Sequence, residues 1–330
     1  MSEPSKILVI QTAFIGDAIL ATGILEKLHK AFPKSQIDYL VRKGNDSLFK
    51  EHPFINELLV WNKQEGKYKN LIKLLKKIRN ERYDYLINAQ RFANSGFLTA
   101  FSKAKVKIGF DKNPFSWAFD FKISHKVNNG LHEVERNQKL IENLAPGKAE
   151  RPKLYPTDAD FEKVASLKLG SFVCLAPASV WFTKQMPKEK WIELLNNIPI
   201  GIKCYLIGAP SDKALCADII NASKNSNAIN LCGELNLLQS AALMKDARMN
   251  YVNDSAPMHL SSAMNAPTSA IFCSTIPAFG FGPLSDDSRI IEVSQNLACR
   301  PCGLHGKKAC PQEHFKCGFE IELPLLKEEN

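Results

Sequence analysis

An acid that follows a glycine just past an apolar run is a candidate general base, and the chain carries one early. The stretch Gln11-Thr-Ala-Phe-Ile-Gly16-Asp17-Ala18 comes directly after the apolar run Lys6–Gln11. Gly16 permits a turn or a close backbone approach, and Asp17 falls near the positive end of the helix expected next. A carboxylate there can take a proton from a hydroxyl nucleophile; the competing reading is a helix cap, a role Asp often fills. A second stretch, Ala178-Ser-Val-Trp-Phe-Thr-Lys-Gln-Met-Pro187, offers the hydroxyls of Ser179 and Thr183 and the compact charge of Lys184. Loops between strand and helix are usual seats for phosphate, although a lone lysine is as readily a solvated surface charge. The third, Val252-Asn-Asp-Ser-Ala-Pro-Met-His-Leu260, is another strand-to-helix junction. Asp254 or Ser255 would cap the helix, Pro257 suits its first turn, and the freed N–H groups form an anion site. His259 would donate to a phosphate or pack beneath the loop.

These stretches need elements to hold them. Lys6–Gln11 is a short β-branched run with nothing polar inside, as expected of a strand covered on both faces of a parallel sheet. A helix is predicted over 17–32, strands over 37–41 and 58–60, a helix over 68–80 and a strand over 85–87. Residues 148–160 carry two prolines and no periodicity, and read as a linker. The alternation restarts with strands at 172–175, 204–207, 250–252 and 269–272 and helical patterns at 188–196, 212–222, 237–245 and 258–264. Strands alternating with helices at this spacing indicate βαβ units, hence an α/β chain with two doubly wound parallel sheets in tandem. Two such units predict a cleft between them, and a ligand beyond the carboxyl ends of each set of strands.

The length of 330 residues and 45% hydrophobic content suffice for two cores, and disordered or fibrous classes are excluded. Charge separates the halves. Residues 1–156 hold 27 basic and 16 acidic side chains, net +11, whereas 157–330 hold 16 and 18, net −2. A basic half suggests an anionic partner, unless it reflects only a lysine-rich composition. All nine cysteines lie between Cys174 and Cys317, five of them scattered through apolar segments, and this usage with an odd total fits a reducing compartment. No signal-peptide pattern is visible, and the charge-free stretch Ala256–Ser285 contains four prolines and is no membrane span. The reading is a soluble cytoplasmic protein able to touch a membrane surface.

Taken in order and spacing, the strand followed by Gly16-Asp17, the S-x-x-x-T-K-x-x-P loop of Ser179–Pro187 and the N-D-S-x-P-M-H junction of Asn253–His259 resemble the ADP-heptose:lipopolysaccharide heptosyltransferases of Gram-negative bacteria, in particular the heptosyltransferase II branch. The resemblance spans essentially the whole chain. It implies a GT-B fold of two Rossmann-like domains facing a central cleft, with residues 1–156 binding the acceptor and 157–330 the nucleotide sugar. The implied reaction is inverting transfer of heptose from ADP-heptose to the phosphorylated Kdo–lipid A inner core, with no metal, no other cofactor and no nucleic acid, by a monomer that touches the inner face of the inner membrane peripherally. Asp17 would be the base. Ser179, Thr183 and Lys184 would contact the diphosphate, Lys184 also offsetting charge on leaving ADP, and Asp254, Ser255, Ala256 and His259 would complete that site. Asp212 would bind the ribose, or merely cap a helix. Two departures stand out: Ala256 where the family more often has glycine, and Val180 where a second hydroxyl is common.

On the acceptor side the resemblance assigns His132 and Arg136, four apart on one helix face, to phosphates and sugars, with Gly16, Arg42, Lys43 and Arg91 adding to the same surface. The stretch Lys67–Arg82 sets seven basic residues around the apolar stripe Leu71, Leu74, Leu75 and Ile78; it reads as core packing with a solvated or membrane-facing basic side. Cys299, Cys302, Cys310 and Cys317, with His305 and His314, have one C-x2-C pair but no second; buried or redox-poised thiols are favoured over zinc. Asp158-Ala-Asp160 reads as N-cap and first-turn acid and not as a metal-binding D-x-D. Two other classes compete. A basic nucleic-acid-binding protein would need an aromatic stacking platform among its charges, and a nicotinamide-dependent oxidoreductase would need G-x-G-x-x-G in a first βα turn; another nucleotide sugar on the same fold is the third possibility.

Overall fold

The computed structural model describes residues 3–323. The chain divides into two units, Met1–Tyr155 and Pro156–Asn330. In the first, β1 (Lys6–Ile10), α1 (Ile15–Ala31), β2 (Gln36–Arg42), β3 (Ile55–Trp61), α2 (Lys67–Glu81), β4 (Tyr85–Asn88), α3 (Ala93–Ala100), β5 (Val106–Phe110), β6 (Phe121–Ile123) and α4 (Glu133–Gln138) follow in order. Their six strands form one parallel sheet, β3-β2-β1-β4-β5-β6. Ile7, Leu8, Val9 and Ile10 of the central β1 are wholly buried, because helices cover both faces of a doubly wound sheet and no position faces water. The stripe Leu71, Leu74, Leu75 and Ile78 of α2 packs into this unit's core as its spacing predicts.

The second unit repeats the plan: α5 (Asp158–Val164), β7 (Phe172–Ala176), α6 (Lys188–Asn196), β8 (Lys203–Leu206), α7 (Lys213–Ala222), β9 (Ala228–Asn230), α8 (Leu237–Lys245), β10 (Asn250–Asn253), α9 (Ala256–Ala263), β11 (Thr268–Phe272), β12 (Ser288–Glu292) and α10 (Lys316–Phe319). Its sheet runs β12-β11-β10-β7-β8-β9, again all parallel. Each sheet therefore has the Rossmann strand order, in which the winding direction reverses between the unit's first and fourth strands. The reversal lies between β1 and β4 in one sheet and between β7 and β10 in the other. The expected fold class is what the structure has.

The segment expected to be a linker is not loose. Lys153 N–H donates to Thr22 Oγ1 at 3.0 Å and Tyr155 OH to Glu26 at 2.8 Å, so it is tied to α1 as far as Tyr155. The cap of α5 is Thr157, one residue before the acid expected there: its hydroxyl accepts from Asp160 N–H at 3.2 Å and Asp160 returns a bond to Thr157 N–H. All nine cysteines are free, and Cys174, Cys204, Cys216, Cys232 and Cys273 are buried as small apolar residues. Among the described residues no helix is long and apolar enough to cross a membrane.

Candidate active site

At the carboxyl edge of the first sheet the loops after β1 and β4 meet where the winding reverses. Thr12 Oγ1 donates to Gln90 Oε1 at 2.7 Å and Gln11 Nε2 to Ala89 O at 3.0 Å, locking the two loops together. Gly16 and Asp17 stand within the first turn of α1, which begins at Ile15 with Phe14 as its cap residue. Gly16 is thus helical and makes no turn, and Asp17 is the third helical residue, its carboxylate facing the N–H of Phe14. The side chain keeps partial exposure by surface area, yet its carboxylate is ringed by dense protein. That desolvation, reinforced by the Glu133 charge, pushes its pKa up to about 6; the Phe14 N–H and the Arg91 guanidinium pull the other way and lose.

Cations gather at the same edge. The Arg42 guanidinium lies 5.2 Å from the centroid of Phe14, itself 64% exposed. Lys63 sits 4.5 Å over the Trp61 ring and donates to Thr12 O at 2.6 Å. Burial, then Arg42 and Lys67, lowers the Lys63 pKa to about 8. The edge therefore offers one proton acceptor among several cations, which suits a hydroxyl carried on an anionic molecule.

Expectations for α4 need correction. His132 is its cap: Nδ1 accepts from Val134 N–H at 3.2 Å while Glu135 accepts from His132 N–H at 2.7 Å. Arg136 is only 2% exposed and cannot meet a ligand at the surface. Its guanidinium donates to Glu133 Oε2 at 2.7 Å and to Leu131 O at 2.5 Å, and His125 Nε2 stands 3.1 Å from Glu133 Oε1. Burial works against the ionised form of Glu133, but His125 and Arg136 outweigh it and hold the carboxyl below the ordinary range. Arg136 thus keeps Glu133 charged, and that charge helps to raise Asp17. Lys43 is exposed, with its backbone N–H on Trp61 O.

The second unit's reversal point carries the other group of residues. Lys184 Nζ is 2.7 Å from Asp254 Oδ2, and Thr275 Oγ1 donates to the same carboxylate at 2.7 Å. Asp254 is not the cap of α9: its carboxylate is turned to Lys184 and Thr275, so it bears on a bound anion only through its pair with Lys184. Ser255 is the cap residue, and its hydroxyl makes no capping bond, which leaves the helix start open. Ala256 begins α9, and His259, one turn in, is 7% exposed. Buried Asn253 fastens the junction to the preceding loop, donating to Ala176 O and Pro177 O at 3.2 and 2.8 Å and accepting from Met186 N–H at 3.0 Å.

Thr183 also differs from expectation. It is 1% exposed, and its hydroxyl accepts from Ser274 Oγ at 2.9 Å and from Lys307 N–H at 2.7 Å, so it is held by protein and does not point into solvent. Ser179 is half-buried, with its N–H on Gln185 Oε1. Asp212 accepts from Ala209 N–H at 2.8 Å and from Ser211 Oγ at 3.1 Å, closing the turn before α7; it is the residue that precedes α7, but its side chain makes no capping bond to that helix.

The residues after Cys299 escaped the sequence reading as part of this site. Thr183 N–H donates to Lys307 O at 3.1 Å, reciprocating the Lys307 bond, and Phe315 packs 5.2 Å from Phe182. Arg300 threads carbonyls after β11, donating to Cys273 O at 2.7 Å and Thr275 O at 2.8 Å. The cysteine-rich segment is thus a clasp over the Lys184 loop. Within it Cys302 Sγ donates to Cys299 O at 3.3 Å and Cys299 Sγ lies 3.9 Å from His314 Nε2. Among the described residues no three His, Cys, Asp or Glu side chains are grouped to hold a metal ion.

Two Rossmann-ordered sheets in one chain, each with a polar site at its winding reversal, are the plan of the GT-B fold. The chain belongs to glycosyltransferase family 9, the heptosyltransferase family, whose model matches residues 71–312. It is 26% identical over 330 residues, 98% of each chain, to lipooligosaccharide heptosyltransferase 2 of Campylobacter jejuni. It is 24% identical to lipopolysaccharide heptosyltransferase 1 of Pseudomonas aeruginosa, covering 97% of this chain and 93% of that one. Its fold resembles that of Escherichia coli ADP-heptose lipopolysaccharide heptosyltransferase II, with a TM-score of 0.75, 22% identity and coverage of 94% and 96%.

Proposed function

We propose that the chain transfers heptose from ADP-heptose to the phosphorylated inner core of lipopolysaccharide, with inversion, on the cytoplasmic side of the membrane. The observation that carries this reading furthest is Asp17, a carboxylate in the first turn of α1 whose pKa is pushed up to about 6 against the pull of Arg91, at the sheet edge where Arg42 and Lys63 also lie. It accepts the proton of an acceptor hydroxyl; the freed oxygen attacks the anomeric carbon, and the bond from that carbon to the diphosphate oxygen breaks. The negative charge that collects on ADP is offset in the second unit by Lys184 and by the N–H of Ala256 at the start of α9, where Pro257 has no N–H and Met258 N–H is bonded to Ser255 O, with Ser179 at the neighbouring loop. Ala256 keeps a methyl group at that helix start, so the diphosphate is held by fewer close backbone contacts than glycine would permit. Arg136 acts through Glu133 and His132 by shaping the start of α4, and the base is their common beneficiary. The donor and acceptor follow the names of relatives, and heptosyltransferases 1, 2 and 3 all match at 22–26% identity, so the acceptor's length is fixed by experiment.

Offering ADP-heptose, UDP-glucose and GDP-mannose to the purified protein with heptose-free and singly heptosylated cores tests the reading. Release of ADP from ADP-heptose with one core and not the other is expected. Equal consumption of UDP-glucose, or no turnover with either core, sinks it.

The clasp gives a second expectation. Gly306 has φ +74° and a Cβ built on it would stand 2.8 Å from Lys184 Cγ, whereas at Gly303, φ +105°, nothing lies within 4 Å. Both Gly306→Val and Gly303→Val carry the strain of positive φ, about 1–2 kcal/mol. Only Gly306→Val displaces Lys184, and its ADP release is expected to fall at least ~10-fold below that of Gly303→Val. Equal rates for the two variants would show that the clasp does not position Lys184.

A further inference from the structure

The first unit carries an apolar surface that the transfer reaction does not use. A groove of about 280 Å³ between α2 and α3 is lined by Tyr68, Leu71, Ile72, Ala93, Phe97 and Phe115, with Asn94 its one polar side chain. From it a run of rings continues across the surface. Phe101 and Phe97 are 5.1 Å apart, Phe97 and Phe115 6.1 Å, and Phe115 and Trp117 6.4 Å. Several of these rings face water: Tyr68 is 69% exposed, Trp117 68%, Ile72 44% and Phe101 41%. Isolated exposed apolar residues are ordinary, but a contiguous aromatic strip opening from a groove marks a docking surface.

Its charge surroundings select the partner. Tyr68, Ile72 and Arg79 fall on one row of α2, and Lys67 Nζ lies 5.3 Å over Tyr68 while Arg79 donates to Phe101 O. Lys69, Lys73 and Lys76 on α2, with Lys103 and Lys112 from the loops beyond α3 and β5, are exposed. Acids are fewer: on α2 the one acid, Glu81, is paired with Lys6, Glu57 of β3 is paired with Lys77, and the exposed Glu65 before α2 and Asp111 beside Lys112 still leave the rim positive. Aromatic rings with a polar or wet edge, rimmed by lysines, match the headgroup region of an anionic bilayer, where rings sit at the acyl boundary and lysines meet phosphates.

We propose that the strip from the α2–α3 groove to Trp117 docks the protein on an anionic phospholipid surface. The rings enter the headgroup layer and the α2 lysines lie on the phosphates. This deepens the glycolipid-acceptor reading by giving the acceptor-side unit a seat where lipid-linked acceptors occur, but its test requires no transfer chemistry. The two therefore fail separately.

Co-sedimentation with vesicles rich in phosphatidylglycerol, against vesicles of phosphatidylcholine alone, is the measurement. Binding to the anionic vesicles, weakened by salt, is expected, with retention on phosphatidylcholine at least ~10-fold lower. Phe101→Ser and Trp117→Ser, which remove exposed rings that support no core, should each cost about tenfold in partitioning, and Lys69→Gln with Lys73→Gln about fivefold per charge. Trp117 also reports directly in a Trp181→Phe background, since Trp61 and Trp191 are buried and the half-buried Trp181 of the second unit is then removed. Its emission should shift to the blue on anionic vesicles and be quenched by brominated acyl chains, and Trp117→Phe should abolish that signal while sedimentation persists. Equal binding to both vesicle types, wild-type sedimentation by Phe101→Ser and Trp117→Ser, or lipid-free self-association that buries Trp117 would each overturn the proposal.

Discussion

Asp17→Asn is expected to abolish most turnover and at the same time to stabilise the protein at alkaline pH. A positioned general base contributes about 10²–10⁴-fold, so a loss near 10³-fold in kcat is expected, with donor affinity little changed because the base acts in the chemical step. The stability gain follows from the raised pKa. Burial and Glu133 lift Asp17 from 3.8 to about 6, so the folded protein holds the proton more tightly than the unfolded chain does. Below pH 4 both forms are protonated and ionisation costs nothing. As pH climbs from about 4 to 6 the unfolded chain ionises freely while the native state resists, and stability is lost; above about 6 the whole cost is present. Two pKa units correspond to almost 3 kcal/mol, or about 2 kcal/mol once partial exposure is allowed for. Asparagine carries no such cost. The variant should therefore unfold a few degrees higher than wild type at pH 8, with most of the difference gone at pH 4. Wild-type kcat/KM should fall about tenfold per unit on the acid side of pH 6. A variant that unfolds at the wild-type temperature at both pH values would place Asp17 in an ordinary solvated environment, and an unchanged rate would return it to a helix-terminal role.

How far such a residue can be read from sequence depends on whether its role is set locally. β1 and β7 are legible because strands covered on both faces are unbroken apolar runs, and Asp17 and Lys184 are legible because each lies in the stretch between such a strand and the next helix or in that helix's first turn. The edge strands are not. β12 buries only Ile291 of its five residues and β6 has three residues, none buried, so neither shows a pattern. α3, with the sequence Ala-Asn-Ser-Gly-Phe-Leu-Thr-Ala, is polar and small because Gly96 must let Asn113 approach, and a Cβ there would lie 1.9 Å from its Oδ1. The same distinction runs through the site. Lys63 is one lysine among many until the fold places it on Thr12 O, and Lys307 meets Thr183 from 124 residues away. Arg136 was misjudged for a related reason: four-residue spacing from His132 puts two residues near one helix face, but whether that face meets water or Glu133 is settled by packing alone.

Lys184→Met should cost 10²–10³-fold in turnover, the usual loss when one group that stabilises developing charge is removed. It should also cost stability, because Asp254, with its side chain 8% exposed, is left with Thr275 as its remaining side-chain partner in the site; stranding a buried charge costs about 3–5 kcal/mol. Asp254→Asn removes the reason for that second loss. Alone, it frees Lys184 from its anchor, and a smaller fall in rate, about tenfold, is expected from the wandering ammonium. In the double variant Lys184→Met with Asp254→Asn, stability should return most of the way to wild type while turnover stays as low as in Lys184→Met. The pair is coupled in folding but not interchangeable in chemistry, and a double-mutant cycle measured by urea unfolding and by ADP release separates the two quantities. Recovery of turnover together with stability in the double variant would mean that Lys184 serves only to neutralise Asp254. In that case charge on the leaving diphosphate must be met by the open helix start at Ala256 and by Ser179 alone, and Ser179→Ala would then carry the large loss assigned here to Lys184.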